Sequence, residues 1–215
     1  MKNPIIELTE EFVRNELSED ATGHDWFHVD RVRRNALHIC KEQQAGEAFI
    51  IEMAALLHDI PDEKLNESIE KGEEKLDTYL KTISLTDIDK KHIKQIIGTI
   101  SFKGGQNTAL STIEAEIVQD ADRLDAIGAI GIARAFAYGG KKGQPIYDPS
   151  VKVRDEMSLE EYRKGKSTSI HHFYEKLLKL KDLLNTESAR KMAESRQQMM
   201  DTFLEQFYQE WDGQE

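Results

Sequence analysis

Cysteine is nearly absent: Cys40 stands alone among 215 residues, so no disulfide can close within the chain, and a reducing compartment is expected. Proline is scarce too, with four in all, three of them where a connection is plausible anyway, so little interrupts long helices. No window reaches the roughly 20 apolar residues that a membrane span requires. The most apolar run, Ala48 to Leu57, is too short and contains Glu52. The opening stretch MKNPIIELTEEFV turns acidic before an apolar segment develops, so a signal peptide is not expected. Positive charge is in deficit, 29 Lys and Arg against 40 Asp and Glu, for a net charge of −11. That balance argues against a nucleic-acid partner and against docking on an acidic membrane surface. A small phosphorylated substrate stays open, because a metal ion and a few local cations can reverse the field inside one cleft. A soluble, cytoplasmic protein is the expectation. Sustained strand alternation, internal repeats and low-complexity tracts are missing as well.

What is present is helical periodicity, with 39% hydrophobic residues, enough for a core. From His28 to Cys40 the apolar residues Val29, Val32, Ala36 and Ile39 recur every three or four positions. Ala48 to Ile60 is apolar around most of its circumference and predicts a central, buried helix. Thr86 and Asp89 form a capping pair ahead of a helix carrying Ile93, Ile96 and Ile97. Ile113 to Tyr138 predicts one further helical stretch, with Gly128 and Gly131 as close-packing points. The run Thr186 to Trp211 places Met192, Met199, Phe203 and Phe207 on one stripe. The fold class is all-α, in one domain over 1–215. Three connections punctuate it: Gly104-Gly105, the irregular GGKKGQPIYDP from Gly139 to Pro149, and the polar stretch Arg154 to Ser169, basic at Arg163, Lys164 and Lys166.

The histidines and acids carry the chemistry. His58 follows the apolar Ala54-Ala55-Leu56-Leu57 and is followed at once by Asp59. An unpaired charge there is costly to bury, so the dyad calls for a cationic partner. Asp120, Asp122 and Asp125 lie between apolar flanks and would repel one another without something positive among them. A helix N-terminus capped by Asp120 explains that residue but not Asp122 and Asp125. His24 and His28, four apart, project from one helical face, and Asp25 and Trp26 between them read as a cap and a core anchor. His28, His58, Asp59 and Asp122 together form a mixed nitrogen and oxygen donor set. Such a set suits a borderline or harder ion such as Mn²⁺, Fe²⁺, Ni²⁺ or Zn²⁺ and leaves coordination positions open.

The order His28, then His58-Asp59, then Asp122 resembles the signature of the HD-domain metal-dependent phosphohydrolases. Longer strings resemble a narrower group of small bacterial stand-alone HD proteins: GHDWFHVDRV, AALLHDIPDEK, ISFKGG, QDADRLDAIGAIGIARAF, AYGG with IYDP, and HFYEKLLKLKDLLNTE. The likeness runs from about Gly23 to the C-terminal helix. It implies a single helical bundle with a central divalent cation (Mn²⁺ favoured; Ni²⁺, Fe²⁺, Mg²⁺ or Zn²⁺ as alternatives) held by those four residues. Core motifs fall in 23–138, and 139–215 completes the bundle as a monomer or homodimer.

Within that likeness Asp62 and Glu63 match an acidic pair found four and five residues after the dyad histidine, in enzymes that act on pyrophosphorylated nucleotides. The implied reaction cuts nucleoside triphosphates, deoxy forms included, to a monophosphate and pyrophosphate. A nucleotide phosphomonoesterase, a cyclic-nucleotide phosphodiesterase and a non-catalytic nucleotide-binding module are the alternatives. Asp62 or Glu63 would accept or orient a proton of the attacking water, unless the pair merely begins the next helix. Arg123 is open to two readings, a phosphate contact or an ion pair with Asp120 or Asp125. Lys103, Lys141 and Lys142 are candidates for phosphate, His24 for phosphate or for supporting a ligand, and Tyr138 for the nucleotide or for packing. His172 takes the histidine position of the HFYEKL string, where His171 replaces the group's usual Asn. Gln144 stands where a basic residue is common.

Overall fold

The computed structural model describes residues 3–18, 25–63, 65–100, 110–154 and 167–214, and all regular structure among them is helical. The helices are α1 (Pro4–Glu16), α2 (Trp26–Gln43), α3 (Ala48–Leu57), α4 (Ile69–Thr82), α5 (Asp87–Ile100), α6 (Ile113–Asp125), α7 (Gly128–Lys141), α8 (Ser169–Glu175) and α9 (Glu187–Trp211). Two 3₁₀ turns, Leu177–Lys179 and Lys181–Leu183, lie between α8 and α9. The described chain divides into two compact units, one ending at Asp122 and one beginning at Arg123.

In the first unit α3 is central and packs against α1, α2 and α5. Ile51, Met53, Ala54, Ala55, Leu56 and Leu57 are fully buried. Each large side chain hidden this way contributes about 1.5–3 kcal/mol relative to exposure. The charge on α3 is accommodated by Arg33 of α2, whose Nη1 donates to Glu52 at 3.3 Å and also to Glu10 of α1, while its Nη2 donates to Asp30 at 2.6 Å. Thr9 is buried as well; it donates to the Ile5 carbonyl at 2.7 Å and accepts the Tyr79 hydroxyl at 2.7 Å.

The starts of the helices follow side-chain chemistry. The Asn3 side chain accepts the Ile5 N–H with Pro4 in the first turn, Asp25 caps α2, Ser68 caps α4 and Thr186 caps α9. The Thr86 hydroxyl accepts the Asp89 N–H at 3.1 Å and donates to the Asp89 carboxylate at 2.8 Å, as the sequence predicts.

Four expectations need correction. Helix α3 ends at Leu57 rather than Ile60, because the chain turns at His58 through the Ile60 N–H to Leu57 carbonyl bond. Asp120 is not a cap: α6 begins at Ile113 behind Thr112, and Asp120 lies fully buried within it. The stretch from Ile113 to Tyr138 is two helices, broken after Asp125 and resumed at Gly128 with φ +74°. Ile127 is buried inside that break, so the apolar pattern runs straight through it. On α9 the buried line is Ala189, Ala193, Met200 and Leu204, whereas Met199 is half exposed. Phe203 and Phe207, the rings of the expected stripe, do lie together, 6.2 Å apart between centroids.

In the second unit α7, α8 and α9 share an aromatic core in which Phe203 meets Phe136 and Phe173, both at 5.7 Å between ring centroids. Tyr147 is edged by His171, Phe207, Tyr208 and Trp211. The buried Glu175 carboxylate accepts the Arg154 guanidinium twice, at 2.8 and 2.7 Å, and the Ser167 hydroxyl at 2.9 Å.

Candidate metal centre

His28 is placed by the start of α2. Asp25 Oδ1 accepts the His28 N–H at 2.8 Å, so the residue that opens the helix also fixes the backbone of a candidate ligand. Trp26 is buried beneath the Arg14 guanidinium, 3.7 Å from its ring, which anchors the same turn as the sequence anticipates. His58 closes α3 from the opposite direction as its C-terminal cap residue, with Asp59 next along the chain. Carbonyls at that helix end present partial negative charge, which favours a cation. Asp122 reaches in from the last turn of α6.

These ends converge. His28 Nε2 lies 3.4 Å from Asp59 Oδ2 and 3.5 Å from Asp122 Oδ1. His58 Nε2 lies 3.3 Å from Asp59 Oδ1 and 3.9 Å from Asp122 Oδ1. One donor atom from each of His28, His58 and Asp59 falls within 4.8 Å of the others. The imidazole rings stand 5.3 Å apart at 67°. An ion held at about 2.0–2.2 Å by nitrogen and oxygen places neighbouring donors about 3–3.5 Å apart. That is the spacing of both imidazoles to Asp59 and of His28 to Asp122, while His58 to Asp122 is wider at 3.9 Å.

Burial makes the same case. His28, His58 and Asp59 are 1%, 7% and 6% exposed, and a carboxylate withdrawn from water needs a positive partner. His58 Nδ1 contacts the Ala55 carbonyl at 2.8 Å, which fixes the proton on that nitrogen and leaves a lone pair on Nε2. That buried Nε2 has no hydrogen bond among the described residues. The donor set therefore fits a divalent cation. The Asp122 side chain is 34% exposed, so it is the one carboxylate of the four residues within reach of solvent to that extent.

Asp62 and Glu63 are half-buried in the turn after the dyad, where the Asp62 N–H donates to the Asp59 carbonyl at 3.0 Å. They do not begin a helix, since α4 starts at Ile69 behind Ser68. Arg123 is buried in the second unit and donates to the Leu183 carbonyl, while Asp125 pairs with Arg134 at 2.6 Å. In that unit Tyr138 and Lys141 are exposed at the end of α7, and the Lys142 ammonium lies 5.8 Å from the Tyr138 ring centroid. His172 lies on α8, where burial, with the Lys176 charge nearby, pushes its imidazole down to about 4. His24, Lys103, Gly104, Gly105, Arg163, Lys164 and Lys166 lie outside the described residues. Sequence reasoning passed over Asn66, whose amide closes the turn after the dyad; an Asn in a short connection is the signal that marks such a closure.

Comparison with known proteins gives the family. The family model for the HD domain matches residues 26–127, a span that holds all four donors. An HD-superfamily hydrolase from Bacillus thuringiensis is 48% identical, with a TM-score of 0.76 and coverage of 97% of each chain. A protein from Lactobacillus plantarum has a TM-score of 0.86 at 38% identity, over 99% of this chain and 100% of that one. Bacillus subtilis YpgQ, solved in complex with ADP, is 34% identical with a TM-score of 0.76, over 95% of this chain and 97% of YpgQ. By its ordered donors and by likeness along nearly its full length, the chain belongs to the HD-domain family and is a metal-dependent phosphohydrolase of the HD superfamily.

Proposed function

We propose that the protein hydrolyses nucleoside triphosphates, deoxy forms included, to a monophosphate and pyrophosphate. The observation that carries this reading is the meeting of two buried imidazoles with two carboxylates, one of them partly exposed, in a chain whose relative YpgQ binds ADP. One divalent ion held by His28, His58, Asp59 and Asp122 would complete the site; Mn²⁺ is the ion proposed, and the mixed nitrogen and oxygen donors also accept Ni²⁺, Fe²⁺, Mg²⁺ or Zn²⁺. Such an ion, when bound, polarises a phosphoryl oxygen and acidifies water in its shell. The protein's own contribution begins with orientation. The Ala55 carbonyl holds the His58 ring in the tautomer that points Nε2 at the cluster. Asp62 and Glu63, three and four residues past Asp59, supply carboxylates to accept or orient the proton of the attacking water.

Charge that develops on the leaving pyrophosphate calls for cations, and Arg123, Lys103 and Lys141 are assigned that role, with His24, Tyr138 and His172 assigned to substrate binding. These assignments rest on the resemblance of the strings that carry them. A cytoplasmic location, a single catalytic domain over 1–215 and a monomeric or homodimeric state belong to the same proposal. The test is incubation with Mn²⁺ and a panel of nucleotides, with products resolved by anion exchange. Equal monophosphate and pyrophosphate supports the reading. Orthophosphate from monophosphates, ring opening of a cyclic nucleotide, or tight binding without turnover replaces it with the corresponding alternative.

A further inference from the structure

In the turn between the dyad and α4 one side-chain amide bridges two backbone carbonyls. Asn66 Nδ2 donates to the Ile60 carbonyl at 2.8 Å and to the Asp62 carbonyl at 2.8 Å. A carboxamide nitrogen has two hydrogens, and here both are committed, so the side chain can take only one orientation. The backbone adds three contacts of its own: the Ile60 N–H to the Leu57 carbonyl at 3.1 Å, the Asp62 N–H to the Asp59 carbonyl at 3.0 Å, and the Leu65 N–H to the Asp62 carbonyl at 3.0 Å. The outer side of the turn is braced by α4. A Cβ on Gly72 would stand 2.7 Å from both the Pro61 Cα and the Pro61 carbonyl oxygen, and 2.9 Å from Asn66 Nδ2. Backbone cannot yield there as a flexible side chain would, so the close approach requires glycine.

We infer that Asn66 is a positioning residue, with Gly72 as its backing: together they fix the turn that carries Asp62 and Glu63 at a set offset from the ligand Asp59. His58 and Asp59 have supports of their own, the first at the end of α3 and the second buried among the imidazoles. Asp62 and Glu63 are only half-buried, and their backbone orientation depends on Asn66. The inference rests on the proposed hydrolase chemistry for its consequence in rate, and not for its consequence in structure.

The experiment compares wild type with Asn66→Ala and Gly72→Ala, with Mn²⁺ as the metal probe. Mn²⁺ affinity by calorimetry should stay within about threefold, with the far-ultraviolet helical signal retained. The kcat for a hydrolysed triphosphate should fall by about tenfold to a hundredfold with little change in KM, the loss expected when a group near the chemistry is misplaced by about an ångström. Deuterium uptake in the peptide spanning 58–66 of the Mn²⁺-loaded protein should accelerate at least about tenfold. An unchanged kcat with unchanged uptake overturns the inference, as does a loss of Mn²⁺ affinity as large as the loss of rate, which would place the effect on Asp59. Should wild type hydrolyse no nucleotide, the functional reading fails by itself. The uptake measurement then decides the positioning claim alone: acceleration supports it and unchanged protection overturns it.

Discussion

His58 Nε2 and Asp59 Oδ1, side chains of consecutive residues, face each other across 3.3 Å at the end of the most apolar helix among the described residues. Neighbours in sequence rarely point at one spot from inside a helix, and here they do so because α3 stops at Leu57 and the backbone turns. The pair is thereby turned toward His28 and Asp122, where a cation would offset the burial of the Asp59 carboxylate.

Metal binding should be visible in stability. Mn²⁺ at about 100 times its Kd adds about 2.7 kcal/mol to the folded state, and a chelator removes it. His58→Ala and Asp122→Ala should each weaken Mn²⁺ binding by at least about tenfold, the loss set by deleting one of few ligands. Calorimetric titration and thermal melts with and without Mn²⁺ measure both. A variant that kept the full thermal shift would remove that residue from the ligand set.

Asp62→Asn keeps its shape and loses its basicity. Mn²⁺ affinity should hold within about threefold while kcat drops about 10²- to 10⁴-fold, the range for loss of a general base. Glu63→Gln measured beside it tells which of the two carboxylates acts. Steady-state kinetics suffice, and an undiminished rate in both variants would leave the pair a structural role only.

Acid should weaken the second unit through His172. In the folded chain burial holds its imidazole at about 4, against 6.5 in the unfolded chain. Between those values the unfolded chain carries the extra proton, so stability rises with pH across that window. This contribution is complete above pH 6.5 and fades as pH falls toward 4, at most about 1.4 kcal/mol per pH unit. Glu175 behaves differently: burial would raise it, but the Arg154 hydrogen bonds hold it below 4.5, so its own loss begins at lower pH. Urea unfolding between pH 5 and 6.5 should show a shallower slope in His172→Gln than in wild type. Identical slopes would remove His172 as the source.

Arg33→Met removes the cation set among Glu10, Asp30 and Glu52. Loss of one partner from a largely buried charge cluster costs about 3–5 kcal/mol. Adding Glu52→Leu to Arg33→Met should recover part of that, since one stranded carboxylate is gone. Denaturant midpoints of the two variants give the answer, and a double variant weaker than the single would contradict it.

Two glycines of α7 should respond in opposite directions. Gly128 has φ +74°, and a Cβ there would lie 2.9 Å from Arg196 Cβ, so Gly128→Ala should cost about 1–2 kcal/mol for its backbone alone, and more for the overlap. Gly140 has open space around its Cβ position and an ordinary helical backbone. Gly140→Ala should therefore be neutral or stabilising by up to about 1 kcal/mol. Thermal melts of both distinguish a conformational requirement from mere composition.

Much of the molecule was legible in the order of its residues. Apolar spacing marks α2 and α3, Thr86 with Asp89 marks the start of α5, and the His58-Asp59 pair behind four apolar residues marks the candidate centre. What escaped depends on partners remote in sequence. The break at Ile127 is invisible to periodicity because the turn is as apolar as the helices it joins. The Arg196 guanidinium that donates to the Leu124 carbonyl beside it comes from another helix. Asp120 resembles a cap only until Thr112 is seen to start α6. Arg134 as a partner of Asp125, and the Leu183 carbonyl, sixty residues on, as an acceptor for Arg123, have no signal in local spacing. On α9 the spacing reads the rings Phe203 and Phe207 correctly as packed, but picks Met199 in place of its buried neighbour Met200.

The chain holds two tryptophans, one in each unit, and their surroundings differ. Trp26 is buried beneath a guanidinium two residues before His28, and Trp211 ends α9 half exposed beside Tyr147. Each indole is thus a built-in fluorophore for its own half of the molecule. With Trp211→Phe the remaining emission reports the half that holds the histidine–aspartate cluster, and with Trp26→Phe it reports the other. Loss of structure in either half can then be followed without an attached dye.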